Sequence, residues 1–518
     1  MRTIDADVLI IGSGAGGGVL AGTLTELLPG KRIVIAEKGG YFGAEFFNER
    51  EWDMRVLFAD KGRRSTADGA IPVRSGECVG GGTMVNVAFC HDPIPGVWSN
   101  WRSEYGVEQF SFDREQNDYG VAHLNIQTSL DDLKRRLNVL RVSDAAVNEN
   151  NRIFERACQA SGISWRRWER NVRDCIGCGY CTEGCAYDRK LGTDQTYILD
   201  ALARGARLIH SFDVGSITFE KRDGALVAAG ATGRVREPEP GSRPNGVTPG
   251  ALRVRAKLVI LAAGAIADPV LLLRSGLPDP HGVIGRGLVL HPSLPVIGMM
   301  DHEIENYRGI NGVSFSDHYA PSHGFFFECL FGHPVYGAAT IPLLGDDHFA
   351  VMQNYHRLAA FGVMLIDSVD VRNRVEVTPA TTRIQYQLSD GDRERMRFGA
   401  ERAVELMFAG GASEVYLPTD EVPKFGSAAD AARARTLQFV PHRTTLTSAH
   451  CQATVKMSAD PRRGGIDSRC ETHAARNLVV CDASSFPTSC GANPALSIMT
   501  LARYQGRRIA AEWDRYAT

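Results

Sequence analysis

Short apolar runs recur along the chain, and several of them lead through a turn of small residues into a helical pattern. Residues 7–11 (DVLII) form such a run, followed by a glycine turn and VLAGTLTELL, and RIVIAE occupies residues 32–37. A third run, KLVIL at 257–261, leads through AAG into a helix that begins near Pro269 and ends at Gly276. Strands that alternate with helices in this way predict an α/β fold.

The first glycine turn has the spacing of a dinucleotide-binding fingerprint. Of its glycines Gly12, Gly14 and Gly17, the first permits the turn, the second lets a pyrophosphate approach the backbone, and the third lets helix and strand pack closely. Glu37 ends the second strand 20 residues after Gly17 (37 − 17 = 20), where a ribose-binding carboxylate is expected. FAD and NAD share this fingerprint, so the turn alone does not name the cofactor.

A second glycine cluster, SGECVGGGTMVN, lies too far from the first turn to serve the same phosphates. The candidate cofactor residues in it are Gly81, Gly82, Thr83 and Asn86. We interpret this segment as a source of backbone amides beside the flat ring system of the cofactor.

A run of four cysteines, DCIGCGYCTEGC, has the spacing with which bacterial ferredoxins hold an iron–sulfur cluster. The candidate ligands are Cys175, Cys178, Cys181 and Cys185. The pattern predicts a 4Fe-4S cluster, although Ala186 stands where the ferredoxin run has proline. The alternatives are a zinc site, which more usually pairs two separated CxxC units, disulfides, which suit exported proteins, and a loop of reduced, unliganded thiols.

Composition excludes several classes of function. The chain has 518 residues and a formal net charge of -2, so we expect about two interleaved domains and no nucleic acid as the main partner. No apolar run reaches the ~18 residues that predict a transmembrane helix, and the first residues lack a secretory pattern. We therefore expect a cytoplasmic protein whose 12 cysteines are mostly reduced thiols or metal ligands.

Four separated motifs resemble those of the glucose–methanol–choline (GMC) oxidoreductases. They are the first glycine turn, GGGTMVN, GAIADPVLLLRSGLP, and a C-terminal block that runs from TSAHCQATVKM to FPTSCGANPALSIMTLA. The resemblance implies an α/β, Rossmann-like FAD-binding domain interleaved with an α+β substrate domain built on an antiparallel sheet. Within the substrate region, RVEVTPATTRIQYQL alternates like a strand pair.

The same resemblance implies a division of the chain into five segments. They are the first part of the FAD-binding domain at 1–110, an insertion with the cysteine-rich loop at 111–190, the second FAD-binding part at 191–295, the substrate-binding domain at 296–445, and the third FAD-binding part, with the catalytic residues, at 446–518.

The resemblance also implies the catalytic residues. His450 occupies the position of the family's catalytic histidine and Asn493, in GANPAL, the second position, so we expect His450 to take the hydroxyl proton and Asn493 to hydrogen-bond the substrate oxygen. Further residues that the resemblance places at the cofactor are Ala263, Asp482 and Pro494. Because GGGTMVNVAFC has no histidine before His91, we expect FAD to be bound non-covalently.

Together the motifs predict an FAD-dependent oxidation of a CH–OH group to an aldehyde or ketone. The expected substrate is a small alcohol, such as a sugar, aminosugar or glycoside, and the expected electron route is the iron–sulfur cluster and an external acceptor protein. One alternative is an oxidase for sterols or long-chain alcohols that reduces oxygen directly, with a structural cysteine loop. Another is a flavin–iron–sulfur electron-transfer subunit, but a pure carrier needs no base beside the flavin.

Overall fold

The computed structural model describes residues 1–378 and 381–517. In these residues the strands are β1 (Arg2–Asp5), β2 (Val8–Ile11), β3 (Ile33–Ala36), β4 (Phe89–Cys90), β5 (Val139–Arg141), β6 (Arg166–Arg167), β7 (Glu169–Asn171), β8 (Arg207–Ile209), β9 (Phe212–Arg222), β10 (Ala225–Val235), β11 (Gly250–Arg255), β12 (Leu258–Leu261), β13 (Ser293–Met299), β14 (Ser314–Ser316), β15 (Phe325–Glu328), β16 (Leu358–Leu365), β17 (Arg374–Val377), β18 (Thr382–Gln385), β19 (Glu414–Tyr416), β20 (Lys424–Phe425) and β21 (Leu478–Val480). The α-helices are α1 (Ala15–Leu27), α2 (Gly82–Val85), α3 (Pro95–Tyr105), α4 (Ile126–Arg136), α5 (Glu149–Ala160), α6 (Tyr197–Ala203), α7 (Ala267–Arg274), α8 (Ala320–His323), α9 (Pro334–Thr340), α10 (Gly345–Gln353), α11 (Asp390–Ala409), α12 (Ala495–Ala511) and α13 (Asp514–Ala517).

A parallel five-stranded sheet, in the order β21-β12-β2-β3-β8, carries the N-terminal glycine turn. Every residue of β2, β3 and β12 is buried, which explains why their sequences are apolar without alternation. The strands come from distant parts of the chain, since Val259 of β12 pairs with Leu9 of β2 on one side and with Leu478 of β21 on the other. The predicted α/β class is confirmed.

Helix α1 follows the glycine turn and packs against α6 and α12. Small residues allow these helices to approach closely. A Cβ atom at Gly506 of α12 would lie only 2.8 Å from a methyl carbon of Thr23 of α1. Helix α1, which contacts strands β2 and β3 of the parallel sheet, therefore also packs closely on α12, near the other end of the chain.

An antiparallel sheet of seven strands, in the order β20-β19-β13-β16-β15-β14-β6, forms the second large layer. Helix α11 packs on it. Strand β15 is buried at all four positions, so its phenylalanines belong to the core. The strand pair predicted in RVEVTPATTRIQYQL is confirmed: β17 and β18 are antiparallel, with Arg374 opposite Gln385. Residues 379 and 380 of this pair lie outside the described residues.

The cysteine-rich segment follows β7, which lies in a small sheet of order β4-β7-β5. Strand β4 comes directly after the second glycine cluster, and β6, just before β7, joins the edge of the antiparallel sheet. The chain that carries the cysteines is thereby anchored to both halves of the molecule. In the part of the chain that the structure describes, no helix has the length and apolarity needed to span a bilayer.

Candidate active site

One cavity of about 1350 Å³ brings the two glycine segments and the predicted catalytic pair together. The predicted site residues on its wall are Gly12, Gly14, Glu37, Gly81, Gly82, Thr83, Asn86, Ala263, Asp482, Pro494, His450 and Asn493. Gly17 does not line it. That glycine is buried in α1, where a Cβ atom would overlap the carbonyl of Gly12, so its role is the close packing of helix and strand.

The first glycine turn brings the start of helix α1 to the cavity, which Gly14, Ala15 and Gly16 line. Gly12 has a φ of 103°, a left-handed conformation that favours glycine, and a Cβ there would overlap the carbonyl oxygen of Ala262. Helix α1 begins at Ala15, and its N-cap, Gly14, supplies no side-chain hydrogen bond to the first turn. The unpaired amides and the helix dipole suit a pyrophosphate, as the fingerprint predicts.

Glu37, which follows β3, is 6% exposed and hydrogen-bonds to the first glycine turn. One carboxylate oxygen accepts the Ser13 hydroxyl at 2.6 Å, and the other accepts the backbone amide of Gly39 at 2.8 Å. Burial raises the pKa of Glu37, while these hydrogen bonds act in the opposite direction. A carboxylate has about four acceptor positions, so these contacts leave capacity for ribose hydroxyls.

The second glycine segment lies directly against the first. A Cβ atom at Gly81 would lie 2.8 Å from the Cα atom of Gly14. Thr83 is held by the protein itself, since its hydroxyl donates to the Gly80 carbonyl at 2.7 Å and accepts the amide of Thr193 at 3.0 Å. The Asn86 side chain accepts the amide of Ala88 at 3.1 Å. The segment is therefore rigid, and its backbone faces the cavity.

Two buried carboxyl groups accept hydrogen bonds from the backbone of the turn after β12. Asp482 accepts the amide of Gly264 at 2.6 Å, and Asp268 accepts the amide of Ala263 at 3.0 Å. Both carboxyl groups also accept hydrogen bonds from Ser484. Burial and the adjacent Asp482 raise the pKa of Asp268 well above its ordinary value. Sequence reasoning found Asp482 and missed Asp268, which stands inside the GAIADPVLLLRSGLP motif.

His450 lies on the cavity wall, with the ring of His291 5.4 Å away in an edge-on orientation. Burial lowers the pKa of His450 to about 4, so its imidazole is neutral at neutral pH. His291 is almost completely buried and contacts Ser489 and Gln452 through Nε2. Gln452 in turn accepts the amide of Cys490 at 3.0 Å, which ties the loop of His450 to the loop that leads to the predicted catalytic asparagine.

Asn493 is paired with a carboxyl group that sequence reasoning did not single out. Glu328, at the end of β15, is 3% exposed, and its carboxyl group interacts with the Asn493 side chain. Burial raises the pKa of Glu328 to about 7, against the effect of that interaction. Within the described ranges, Glu328 Oε1 and Asn493 Oδ1 have no partner. A single glutamate inside the apolar run GFFFECLFG was the available signal.

The four cysteines of the ferredoxin-like run surround a small separate cavity. Two of the sulfurs accept an N–H group: the backbone amide of Arg189 donates to Cys185 at 3.3 Å, and the Arg170 guanidinium donates to Cys181 at 3.4 Å. Burial raises the pKa of the Cys175 and Cys178 thiols. All 12 cysteines, which lie within the described ranges, are free thiols, so the disulfide alternative finds no support.

The cysteine loop touches the second glycine segment through Lys190. Its buried ammonium donates to the carbonyls of Met84, Asn86 and Cys181. Residues 1–378 and 381–517 contain no group of three or more His, Cys, Asp or Glu side chains arranged to hold a metal ion. The iron–sulfur cluster accordingly stays a prediction, while the attachment of the loop to the cofactor segment is a property of the fold.

Comparison with known proteins places the chain in a family. A model described as GMC oxidoreductase matches residues 33–293, and its C-terminal counterpart matches residues 368–502. The chain belongs to the GMC oxidoreductase family. This GMC oxidoreductase is therefore an FAD-dependent enzyme that acts on alcohols, as the resemblance implied, and the cavity described above is the place where its residues fit a dinucleotide.

Individual relatives differ in substrate. The GMC oxidoreductase is 27% identical over 540 residues to a long-chain-alcohol oxidase of Arabidopsis thaliana, covering 98% of this chain and 67% of the relative. It is also 27% identical over 281 residues to the 6'''-hydroxyparomomycin C oxidase of Streptomyces lividus, covering 50% and 46%. Its fold is similar to that of formate oxidase, with a TM-score of 0.71 and 14% identity over 100% of both chains.

Proposed function

We propose that this GMC oxidoreductase oxidises a CH–OH group of a hydroxylated small molecule, such as a sugar, aminosugar or glycoside, to an aldehyde or ketone, with His450 as the base. The observation that carries the proposal is the shared cavity, in which His450, Asn493 and Glu328 line the same space as the two glycine segments. FAD, when bound, supplies the acceptor for the hydride of the carbinol carbon.

The protein's own groups are suited to the proton part of this reaction. With its pKa lowered to about 4, His450 is neutral and a ring nitrogen can accept the hydroxyl proton over the whole neutral range. Asn493 can hydrogen-bond the substrate oxygen, and the Glu328 carboxyl group lies beside its amide. A fixed substrate oxygen keeps the carbinol hydrogen in one direction, which is the geometric requirement of the reaction.

Two buried acceptors in side chains that line the cavity favour a hydroxyl group beside them over an alkyl group. Glu328 Oε1 and Asn493 Oδ1 are unsatisfied within the part of the chain that the structure describes. An alkyl group beside them would leave buried acceptors without partners, which costs about 1–3 kcal/mol for each group. These acceptors therefore support a substrate like the one named for the 6'''-hydroxyparomomycin C oxidase rather than a long-chain alcohol.

Anaerobic flavin reduction tests the reaction directly. The holoenzyme is mixed with methyl α-glucopyranoside, glucosamine, glycerol and 1-decanol, and the flavin absorbance near 450 nm is followed. A hydroxylated compound should bleach the flavin faster than 1-decanol does. Bleaching by 1-decanol alone would assign the enzyme to the long-chain-alcohol class instead.

FAD should be bound without a covalent link. No histidine precedes His91 in the second glycine segment, and the predicted cofactor residues on the cavity wall would hold FAD through backbone and side-chain groups. We expect a yellow protein that releases intact FAD into the supernatant on acid precipitation. Flavin that stays with the precipitate would contradict non-covalent binding.

We propose further that the cysteine run holds an iron–sulfur cluster that relays electrons to an external acceptor. The support is the ferredoxin-like spacing and the N–H donors at the sulfurs of Cys181 and Cys185, since hydrogen bonds to the sulfurs tune cluster potentials. Among the described residues no group of three or more His, Cys, Asp or Glu side chains is arranged to hold a metal ion, so the proposal rests on the spacing and on these two donors.

Metal analysis decides between the relay and the direct oxidase. Protein prepared without oxygen should contain about four irons and as much acid-labile sulfide per chain, and Cys178→Ser should lose both. Cys158→Ser, a buried thiol outside the run, should keep them. Full FAD, no iron and rapid peroxide formation in air would instead support the oxidase with a structural cysteine loop, which the names of the relatives favour.

A further inference from the structure

The active-site cavity also contacts buried polar side chains that the proposed reaction does not use. Glu183, Asn306 and His333 all line it, and together they form what we call the polar wall. Glu183 belongs to the cysteine loop, between Cys181 and Cys185. His333 lies five residues beyond Glu328 (333 − 328 = 5), at the end of the segment that follows β15. Distant parts of the chain therefore build this wall.

His333 is held rigidly by packing and not by hydrogen bonds. Its ring stacks on Tyr180 with centroids 3.9 Å apart and planes 10° apart, and it meets Phe331 edge-on at 5.9 Å. The residue is 2% exposed, and neither ring nitrogen has a hydrogen-bond partner among the described residues. Nε2 lies 3.6 Å from a carboxylate oxygen of Glu183, which is too long for a hydrogen bond.

The other two side chains of the polar wall are acceptors. Glu183 is 8% exposed and accepts one hydrogen bond, from the Thr182 hydroxyl at 2.7 Å. Asn306 is 2% exposed, and its Oδ1 has no partner in residues 1–378 and 381–517. Buried polar groups are nearly always hydrogen-bonded in folded proteins. Unsatisfied atoms in side chains that line one cavity therefore indicate a ligand that satisfies them.

We infer that the polar wall binds hydrogen-bond-donating groups of the substrate, on a part of the molecule away from the carbinol that is oxidised. A carboxyl group and an amide oxygen accept from hydroxyl or ammonium groups, and the two ring nitrogens of an imidazole can each form a hydrogen bond with a hydroxyl. The substrate thus carries polar groups at two places, the carbinol that reacts and a group that the polar wall binds. The inference rests on the proposed function, because it concerns the substrate of the same site.

Near-isosteric substitutions test the polar wall. His333→Phe keeps an aromatic ring for the stack on Tyr180 and removes both nitrogens, and Glu183→Gln removes the charge at nearly constant size. His442→Phe, at an exposed histidine away from the cavity, is the matched control. The holoenzymes are titrated with glucosamine, methyl α-glucopyranoside and 1-decanol, and both the shift of the flavin spectrum and its anaerobic reduction are recorded.

We expect His333→Phe to raise the half-saturating concentration of the sugars about tenfold or more, because a site built for hydrogen bonds discriminates strongly when they are lost. The limiting rate of flavin reduction should change less than about twofold, since the reacting groups are intact, and 1-decanol should bind no more weakly. A Glu183→Gln effect confined to glucosamine would identify the donor as an ammonium group, and an equal effect on both sugars would identify it as a hydroxyl.

Wild-type half-saturation of both sugars in His333→Phe and Glu183→Gln would overturn the inference, as would a spectral response to 1-decanol alone or to none of the probes. Failure of the proposed function has a different signature. If sugars shifted the flavin spectrum in the wild-type enzyme but not in His333→Phe, and did not reduce the flavin, the polar wall would be supported as a binding site. The proposed oxidation of these sugars would then be wrong.

Discussion

Replacement of His450 by alanine is expected to lower the rate of flavin reduction by roughly two or more orders of magnitude, the usual contribution of a general base. The neutral imidazole on the cavity wall is lost, and the hydroxyl proton then has no positioned acceptor there. The measurement is the limiting rate of anaerobic flavin bleaching with the best alcohol of the panel. FAD content should stay at the wild-type level, because His450 is not in either glycine segment.

The pH dependence of the wild-type enzyme gives an independent check on the same residue. Burial lowers the pKa of His450 to about 4, so the base is deprotonated and active above that pH and is lost as the pH falls through it. The acid limb of kcat/KM should therefore lie near pH 4, well below the usual value for histidine. Asn493→Ala should slow the reaction less than His450→Ala does, since an orienting hydrogen bond is lost and not the base.

A matched substitution separates the role of His450 from a general effect of losing an imidazole. His442→Ala, at an exposed histidine that does not line the cavity, should reduce its flavin at the wild-type rate. If His450→Ala also kept the wild-type rate, His450 would have no part in the mechanism, and Glu328 beside Asn493 would be the next group to test as the base.

Replacement of Gly12 by alanine is expected to yield protein without FAD and with a clearly lowered Tm. An alanine there must adopt a φ near 103°, and its methyl group would overlap the carbonyl oxygen of Ala262 on the neighbouring strand. A left-handed conformation at a non-glycine residue costs about 1–3 kcal/mol, and the overlap adds to this by moving the backbone that forms the pyrophosphate turn. The flavin-to-protein absorbance ratio and thermal unfolding measure the two effects.

Two further glycine substitutions separate the cost of the backbone conformation from the effect of the steric overlap. Gly30→Ala has a comparable φ of 82° with no atom within 4 Å of the new methyl group, so it should show the conformational cost alone and keep its FAD. Gly14→Ala meets only Gly81 and Gly82 at 3.8 Å and 3.9 Å, so it should fold and bind FAD more weakly. A Gly12→Ala protein with full FAD and the Tm of Gly30→Ala would contradict the assignment of the turn.

The sequence by itself determined the parts of this protein that depend on neighbouring residues. Short stretches of sequence are enough to indicate a glycine turn, a strand that is buried on both faces, or a cysteine spacing. This is because backbone conformation and strand burial restrict which residues can stand at each position. The strands before each turn, the α/β class and the β17–β18 pair could be predicted in this way. His450 and Asn493 came from the resemblance of longer motifs, and the structure shows where they lie.

Only the tertiary structure decided which polar groups meet. Asp268 and Ser484, 216 residues apart, share a hydrogen bond, and Glu328 reaches Asn493 across a separation of 165 residues (493 − 328 = 165). The polar wall likewise joins Glu183 of the cysteine loop to His333 of the substrate region. The sequence has no periodic pattern that predicts such contacts. Which polar side chains become neighbours depends on how the two sheets and the cysteine segment pack against each other. The pKa shifts at these residues follow from the same packing, since burial is a property of the assembled fold.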